Sequence, residues 1–194
     1  MSLLRTPLLS FSARGKIAKT LVYSAWKGLN TVRQYVVPAN PQTAGQVAQR
    51  NAMKAVVAAF RYYLTNAVGR TAWNLAAALM AGAQSGFNVF TSNAVKIAIG
   101  DPDASFADEI SAVAGKKSRF AMKNLDDGAT GDEAGTFEYW EGTDKTLLSK
   151  ISEVSISSGN VDGVSDQAAG TVIYCKIRKG GQDRSGLAKL TVAE

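Results

Sequence analysis

The chain contains few residues that could carry catalytic or metal chemistry, and their types limit what that chemistry could be. It has no histidine. Histidine is the commonest general base and the commonest metal ligand, so His-dependent triads, zinc hydrolase sites and facial-triad iron sites are excluded. Cys175 is the only cysteine, which excludes an intrachain disulfide. Because Cys175 lies inside the apolar run 171–177, we expect a small buried core residue, with a reactive thiol as the alternative.

The candidate carboxylates lie among Gly, Ser and Thr residues, where Asp is favoured for turn geometry. They are Asp126, Asp127, Asp132, Glu133, Asp162 and Asp166. A calcium loop needs Asp at alternate positions and a closing bidentate Glu, and residues 126–133 lack that spacing. The chain has no glycine-rich phosphate loop and no nucleophile elbow. We therefore expect no enzymatic activity, no bound metal and no cofactor.

Charge divides the chain into two halves. Residues 1–100 contain eleven Lys or Arg and no acid, whereas residues 101–194 contain eleven Lys or Arg and sixteen acids. The formal charges are therefore about +11 and about −5. The change falls at Asp101-Pro102-Asp103, so we predict two domains, 1–100 and 101–194. We expect the basic domain to face a negatively charged partner.

The stretch between Arg70 and Lys96 has no charged residue. Gly82, Gly86 and several Asn and Gln side chains interrupt it, so it lacks the roughly 20 apolar residues of a membrane-spanning helix. We expect this stretch to be buried against protein, and we expect no membrane partner.

Residues 14–37, called the arm below, are rich in β-branched and aromatic types. With the turn signal at Lys27-Gly28 they predict a β-hairpin. Apolar side chains occur on both faces of its first strand, with Ile17 and Leu21 on one face and Val22 on the other. A hairpin alone is marginal in water. We therefore expect the arm to be covered on both sides, either by helices of this chain or by another chain.

A small helical unit is expected after the arm. Helical spacing and capping signals predict three helices. They run from Thr43 (or Asn40) to about Val68, where Gly69 ends the helix, from Thr71 to Met80, and from Ser85 in a short helix for which a strand is the alternative. On the first helix Arg50, Lys54 and Arg61 are four and seven residues apart, so they share a face. That face is either a docking surface or a solvated Lys and Arg surface.

From Asp101 onward, short apolar runs alternate with Gly, Asp, Asn and Ser. Strands are predicted near residues 109–114, 118–124, 136–142, 150–157, 170–178 and 187–193. Several strands at near-regular spacing indicate a sandwich or a barrel. The expected fold class is therefore α+β, with an N-terminal β-hairpin arm and a small helical unit followed by an all-β sandwich.

Three segments of the second half, residues 137–143, 170–177 and 185–192, resemble a fibronectin type III or immunoglobulin-like module. The resemblance covers about 85 residues. The chain departs from the pattern in having no tryptophan near Phe120 and no Leu-x-Pro before Gly170. For residues 101–194 the resemblance implies an immunoglobulin-like sandwich.

The first half carries three short motifs: Trp26-Lys27-Gly28, Arg33-Gln34-Tyr35-Val36 and Pro38-Ala39-Asn40-Pro41. With residues 46–50 and 85–88, they are similar to a family of phage and prophage proteins of unknown biochemistry. The resemblance covers roughly residues 14–93 and supplies no catalytic residue. It implies a role in a virion, with other proteins of the capsid, neck or tail as partners.

These observations favour a non-enzymatic virion structural protein, specifically a capsid decoration or cement protein that docks through residues 1–100. A neck or tail component is the alternative within that class, and self-association is left open. Nucleic-acid binding is a secondary alternative, because a basic half with aromatic side chains attracts phosphate and can stack bases. The expected docking residues are Arg14, Lys16, Lys19, Trp26, Lys27, Arg33 and Tyr35 in the arm, with Arg50, Lys54 and Arg61 on the first helix.

Overall fold

The computed structural model describes residues 2–3, 14–27 and 29–194, and for Ser2, Leu3 and Trp26 it describes the backbone only. The chain divides into two compact units, Met1–Gln42 and Thr43–Glu194. The units therefore do not separate at Asp101, where the change in charge predicts a boundary. The physical reason is that the helices after Thr43 bury their apolar faces against residues that begin the β half, including Phe106 and Leu125.

The first unit contains an antiparallel sheet with the strand order β1-β4-β3-β2. In chain order its strands are β1 (Ser2–Leu3), β2 (Gly15–Ile17), β3 (Leu21–Trp26) and β4 (Leu29–Gln34). β3 and β4 form the predicted hairpin, in which Trp26 pairs with Leu29. Lys27 in the connecting turn has a φ of 49°, the left-handed conformation that a two-residue hairpin turn favours. Gly28 lies outside the described residues.

The arm contains a second turn that the sequence does not signal. Ala18 and Lys19 adopt φ values of 44° and 55°, and the Thr20 backbone N–H donates to the Ile17 carbonyl at 2.9 Å. This turn divides the predicted first strand into β2 and β3. The arm therefore has three strands, where the sequence predicts two.

The second unit begins with three helices, α1 (Ala44–Ala58), α2 (Ala67–Ala78) and α3 (Gly86–Ala98), and a π-helical turn at Ala59–Tyr63 continues α1. Thr43 is the N-cap of α1 but makes no side-chain capping bond, so the predicted capping box does not form. Ser85 caps α3 as predicted, and its Oγ accepts from the Asn88 N–H at 3.3 Å. None of the described helices is long and apolar enough to cross a bilayer.

The helices enclose an aromatic core. Phe90 is fully buried and makes edge-to-face contacts with Trp73 and Phe106, with ring centroids 5.4 and 5.3 Å apart. Such pairs add stabilisation beyond the area they bury. Since Trp73 and Phe90 lie inside the uncharged stretch 71–95, the prediction that this stretch packs against protein is confirmed for its inward-facing side chains.

The β half forms two antiparallel sheets. Its strands are β5 (Ser105–Val113), β6 (Lys117–Asn124), β7 (Thr136–Asp144), β8 (Leu147–Ser155), β9 (Asn160–Val164), β10 (Val172–Lys179), β11 (Gln182–Asp183) and β12 (Ala188–Thr191). One sheet has the order β5-β6-β9, and in the other β8, β7 and β10 are followed by β11 and β12, which both pair with β10. The α+β class is confirmed, and the division of strands is that of an immunoglobulin-like sandwich. The sequence missed β9 and the two-residue strand β11.

A second apolar core lies between these sheets. Phe120 of β6 and Tyr139 of β7 face each other across it, with ring centroids 6.2 Å apart. Alternate residues of β10 point into the same core, among them Cys175 and Ile177, which are fully buried. The alternation of buried and more exposed residues along β6, β7 and β10 is the period-two pattern of a half-buried strand.

The helix α2 packs closely on the β half. The Leu187 N–H donates to the Ala72 carbonyl at 3.0 Å, and the Asn66 N–H donates to Asp108 Oδ1 at 2.9 Å. Asn66 is also the N-cap of α2, since its own Oδ1 accepts from the Val68 N–H. The helix therefore begins earlier than predicted, and Gly69, expected to end α1, lies within the first turn of α2.

Candidate functional site

One row of side chains on the arm sheet brings together two of the predicted docking residues. Lys16 pairs with Val22, and Val22 pairs in turn with Arg33. Residues directly opposite each other on neighbouring strands project from the same face. Lys16 and Arg33 therefore flank Val22 on one face, with backbones about 10 Å apart, which is twice the spacing of adjacent strands. Both side chains are exposed.

Tyr35 joins this face just beyond the end of β4. Its backbone N–H donates to the Thr20 carbonyl at 2.7 Å, which continues the pairing of β3 with β4. The Lys16 ammonium lies 5.2 Å from the centroid of the Tyr35 ring, a cation–π arrangement. The Lys16 head group is therefore oriented by an aromatic ring although the residue as a whole is exposed.

These residues line a concavity of about 700 Å³. Its walls include Lys16, Val22, Arg33, Tyr35, Val36 and Pro38. The two charged side chains among these residues are both cations, and most of the rest are aliphatic or aromatic. The arrangement can hold an anionic group next to an apolar one.

The opposite face of the arm sheet is also partly apolar. Ile17 pairs with Leu21, and the two residues remain 43% and 40% exposed. Tyr23 and Val32 form another pair on this face and are half-buried. The prediction that apolar residues occupy both faces of the arm is confirmed.

The remaining predicted arm residues lie outside the row formed by Lys16, Val22 and Arg33. Arg14 directly precedes β2, while Lys19 and Lys27 lie in turns at opposite ends of β3. All three are exposed. The side chain of Trp26, also predicted to dock, lies outside the described part of the chain.

The three predicted residues of the helical region belong to the second unit. Arg50 and Lys54 lie one turn apart on α1, on the side opposite the buried Ala52 and Val56, and Arg61 lies in the π-helical turn that follows. All three cations are exposed. Helical spacing places Val47 and Met53 on the apolar face of α1. They remain 37% and 44% exposed, so this face is only partly buried.

Sequence reasoning missed a buried polar cluster in the sandwich core. Glu141 is 1% exposed, and its carboxylate accepts hydrogen bonds from the Tyr139 hydroxyl at 2.5 Å and the Ser165 hydroxyl at 2.7 Å. Burial, together with the neighbouring Cys175 and Glu141, raises the pKa of Tyr139. Glu141 follows Phe137 and Tyr139 at alternate positions, so the period-two pattern could have placed it inward.

Cys175 contacts the same cluster. The residue is fully buried, as expected for a core cysteine. Desolvation by burial is the main cause that raises the pKa of its thiol to about 12. Because the thiolate is the nucleophilic form, the thiol is unreactive near neutral pH.

In a second cluster, one predicted turn carboxylate is buried and pairs with two cations. Glu133 accepts from Arg184 Nη2 at 2.8 Å and from Lys179 Nζ at 2.7 Å, and its other oxygen accepts from the Ser105 N–H at 2.6 Å. The side chains of Glu133 and Arg184 are each 6% exposed. Removing either partner of such a buried pair leaves an uncompensated buried charge, which is strongly destabilising.

Comparisons with protein-family models, with curated proteins and with solved structures each gave no significant match. Within the residues that the structure describes, no group of three or more Cys, Asp or Glu side chains is placed to hold a metal ion. The arm face, where two cations and an aromatic ring come together at Lys16, Arg33 and Tyr35, is the candidate functional site.

Proposed function

We propose that the chain is a non-enzymatic structural protein of a phage virion, a capsid decoration or cement protein that docks on a negatively charged partner surface through its arm. The docking part of the proposal rests on the exposed charge of the arm. It exposes five cations, Arg14, Lys16, Lys19, Lys27 and Arg33, in a segment without any acid.

The apolar residues of the arm support a protein partner. Ile17 and Leu21 leave two fifths of their surface exposed on one face, and the concavity beside Val22 lies on the other. Burying such surface against a partner chain stabilises the complex by roughly 25 cal/mol per Å² of apolar area before the costs of association are subtracted. Charge then selects a partner of opposite sign.

The second unit supports a division of roles in which the arm docks and the sandwich is displayed. The buried core residues that the structure describes all lie after Thr43. This unit has its own apolar cores, and the immunoglobulin-like sandwich within it is a suitable module for display on a particle. The burial of Cys175 and Glu141 supports the non-enzymatic part, since both side chains are enclosed in the sandwich core.

The virion assignment rests on the motifs at Trp26-Lys27-Gly28 and Pro38-Ala39-Asn40-Pro41, and a neck or tail component remains the alternative within the class. The test is quantitative mass spectrometry of particles purified from a host that expresses the chain. A decoration protein is expected in tens to hundreds of copies in proportion to the capsid protein, and a neck or tail component in a few copies. Particles that contain none of this chain would contradict the proposal.

A further inference from the structure

We infer that the concavity on the arm is a binding site for an extended acidic segment of a partner protein, with Lys16 and Arg33 binding its carboxylates and an aliphatic side chain of the segment seated near Val22 and Val36. This inference rests on the proposed docking function and names the partner chemistry of the same site. The recognised feature is a pair of acidic residues with an aliphatic residue midway between them, all on one side of the extended segment.

The geometry of the two cations fits an extended chain. Lys16 and Arg33 have backbones about 10 Å apart across the sheet. Two carboxylates at positions i and i+4 of an extended segment lie about 13 Å apart on one side of it, and the side chain at i+2 lies between them, as Val22 lies between Lys16 and Arg33. The long side chains of Lys and Arg span the difference. Charge-assisted hydrogen bonds between these cations and carboxylates are stronger than neutral ones.

The wall of the site favours protein over nucleic acid. Val22, Val36 and Pro38 supply aliphatic surface, and Val36 is 69% exposed. Base binding uses free aromatic faces, whereas one face of the Tyr35 ring is covered by the Lys16 ammonium. A concavity with two cations also offers few contacts to a phosphate backbone, which is bound through many cations.

The concavity is large enough for part of a peptide. Its volume of about 700 Å³ lies within the range of sites that enclose most of a drug-sized ligand. Because no acid occurs anywhere in residues 1–100, no carboxylate of this half competes for Lys16 or Arg33.

The experiment uses the full chain and fluorescence polarisation with three labelled probes of equal length. They are a peptide with the repeat Asp-Ser-Leu-Ser, called the Asp-Leu peptide, a peptide with the repeat Asp-Ser-Ser-Ser, and oligothymidylate. Two double variants remove the same charge at different places. One variant combines Lys16→Gln with Arg33→Gln and removes both cations that line the concavity. The other combines Lys19→Gln with Lys27→Gln and removes one cation from each turn of the arm.

The Asp-Leu peptide is expected to bind most tightly. The Lys16 and Arg33 double variant should lower its affinity at least about tenfold, as expected for the loss of two charge-assisted contacts, and the Lys19 and Lys27 variant by less than about threefold. Tyr35→Leu, which removes the ring under Lys16, should lower the affinity several-fold while thermal unfolding of the second unit is unchanged.

Four results would overturn the inference. The first is an equal loss of affinity in the two double variants, which indicates diffuse electrostatics. The second is tighter binding of oligothymidylate than of the Asp-Leu peptide, and the third is absence of binding to the Asp-Leu peptide. The fourth is self-association of the chain that the Lys16 and Arg33 variant abolishes. The same variants distinguish this inference from the proposed function. If the Lys16 and Arg33 variant still associates with particles that the chain lacking its arm does not bind, the arm docks by another surface.

Discussion

Replacing Gly69 tests whether the helices and the sandwich fold as one unit. An ideal Cβ at Gly69 would lie 2.0 Å from the Asp108 carbonyl oxygen and 2.9 Å from its carbonyl carbon, where ordinary contact begins at 3.4 Å. Gly69→Ala therefore forces the backbones of α2 and β5 apart by more than an ångström. The same strand residue, Asp108, also accepts from the Asn66 N–H, so the displacement strains the start of α2.

The expected magnitude combines two opposing effects. Overpacking of this kind costs about 1–3 kcal/mol, and the upper end applies because the obstructing atoms are backbone. The better helix propensity of Ala offsets about 1 kcal/mol. We expect Gly69→Ala to lower the free energy of unfolding by about 2 kcal/mol, which corresponds to a drop in Tm of about 4–8 °C for a chain of this size.

Gly45→Ala is the matched control. Gly45 also lies in the first turn of a helix, α1, but nothing lies within 4 Å of its ideal Cβ. This variant should be as stable as the wild type or more stable by up to about 1 kcal/mol. The assay is urea unfolding followed by circular dichroism. Equal stability of the Gly69 and Gly45 variants would refute the close packing of α2 on β5.

Three further predictions follow from the second unit. A fragment of residues 101–194 should melt without a cooperative transition, because it removes Trp73 and Phe90 from the core around Phe106; a sharp melt would contradict this. Cys175 should react with a thiol reagent only on unfolding, because burial raises the pKa of its thiol to about 12; rapid labelling of the native chain would refute it. The hydrogen bonds from Arg119 lower the pKa of Asp162. The stability that this pairing adds is therefore present above the pKa of Asp162 in the unfolded chain and is lost as pH falls through its pKa in the folded chain. Asp162→Asn should therefore destabilise near neutral pH, with a difference from wild type that shrinks in acid; a constant difference would contradict the pairing.

The hairpin and the sandwich could be predicted from local pattern. Lys27-Gly28 is a turn signal between β-rich runs, and the structure forms a hairpin there. Period-two alternation along residues 136–142 predicts β7, which the structure extends to Asp144. These features depend on neighbouring residues in the sequence, so the sequence alone reveals them.

Features that depend on tertiary packing were missed. The turn at Ala18 and Lys19 requires positive φ at two residues that rarely adopt it. β9 is short, and its Gly163 marks a close approach to Tyr139, whose ring would lie 2.2 Å from a Cβ. The sequence treats Gly69 as a helix end because glycine is a common stop signal, whereas here glycine permits two backbones to touch.

The candidate site was partly predictable. Composition identified the basic arm, and residue types selected Lys16, Arg33 and Tyr35. The register that places Lys16 and Arg33 on either side of Val22 depends on the turn at Ala18, so their proximity could not be derived from spacing. Charge changes at Asp101, whereas the apolar core continues through Phe106, so composition and packing divide the chain at different places.

Cosedimentation with DNA-free capsids tests the docking role of the arm most directly. The full chain is compared with residues 38–194, after circular dichroism has shown that the second unit melts at the same temperature in both. The full chain is expected to sediment with the capsids and to be released as salt rises, because exposed charges are screened, and residues 38–194 should stay in the supernatant. Equal sedimentation of the two chains would contradict docking through the arm.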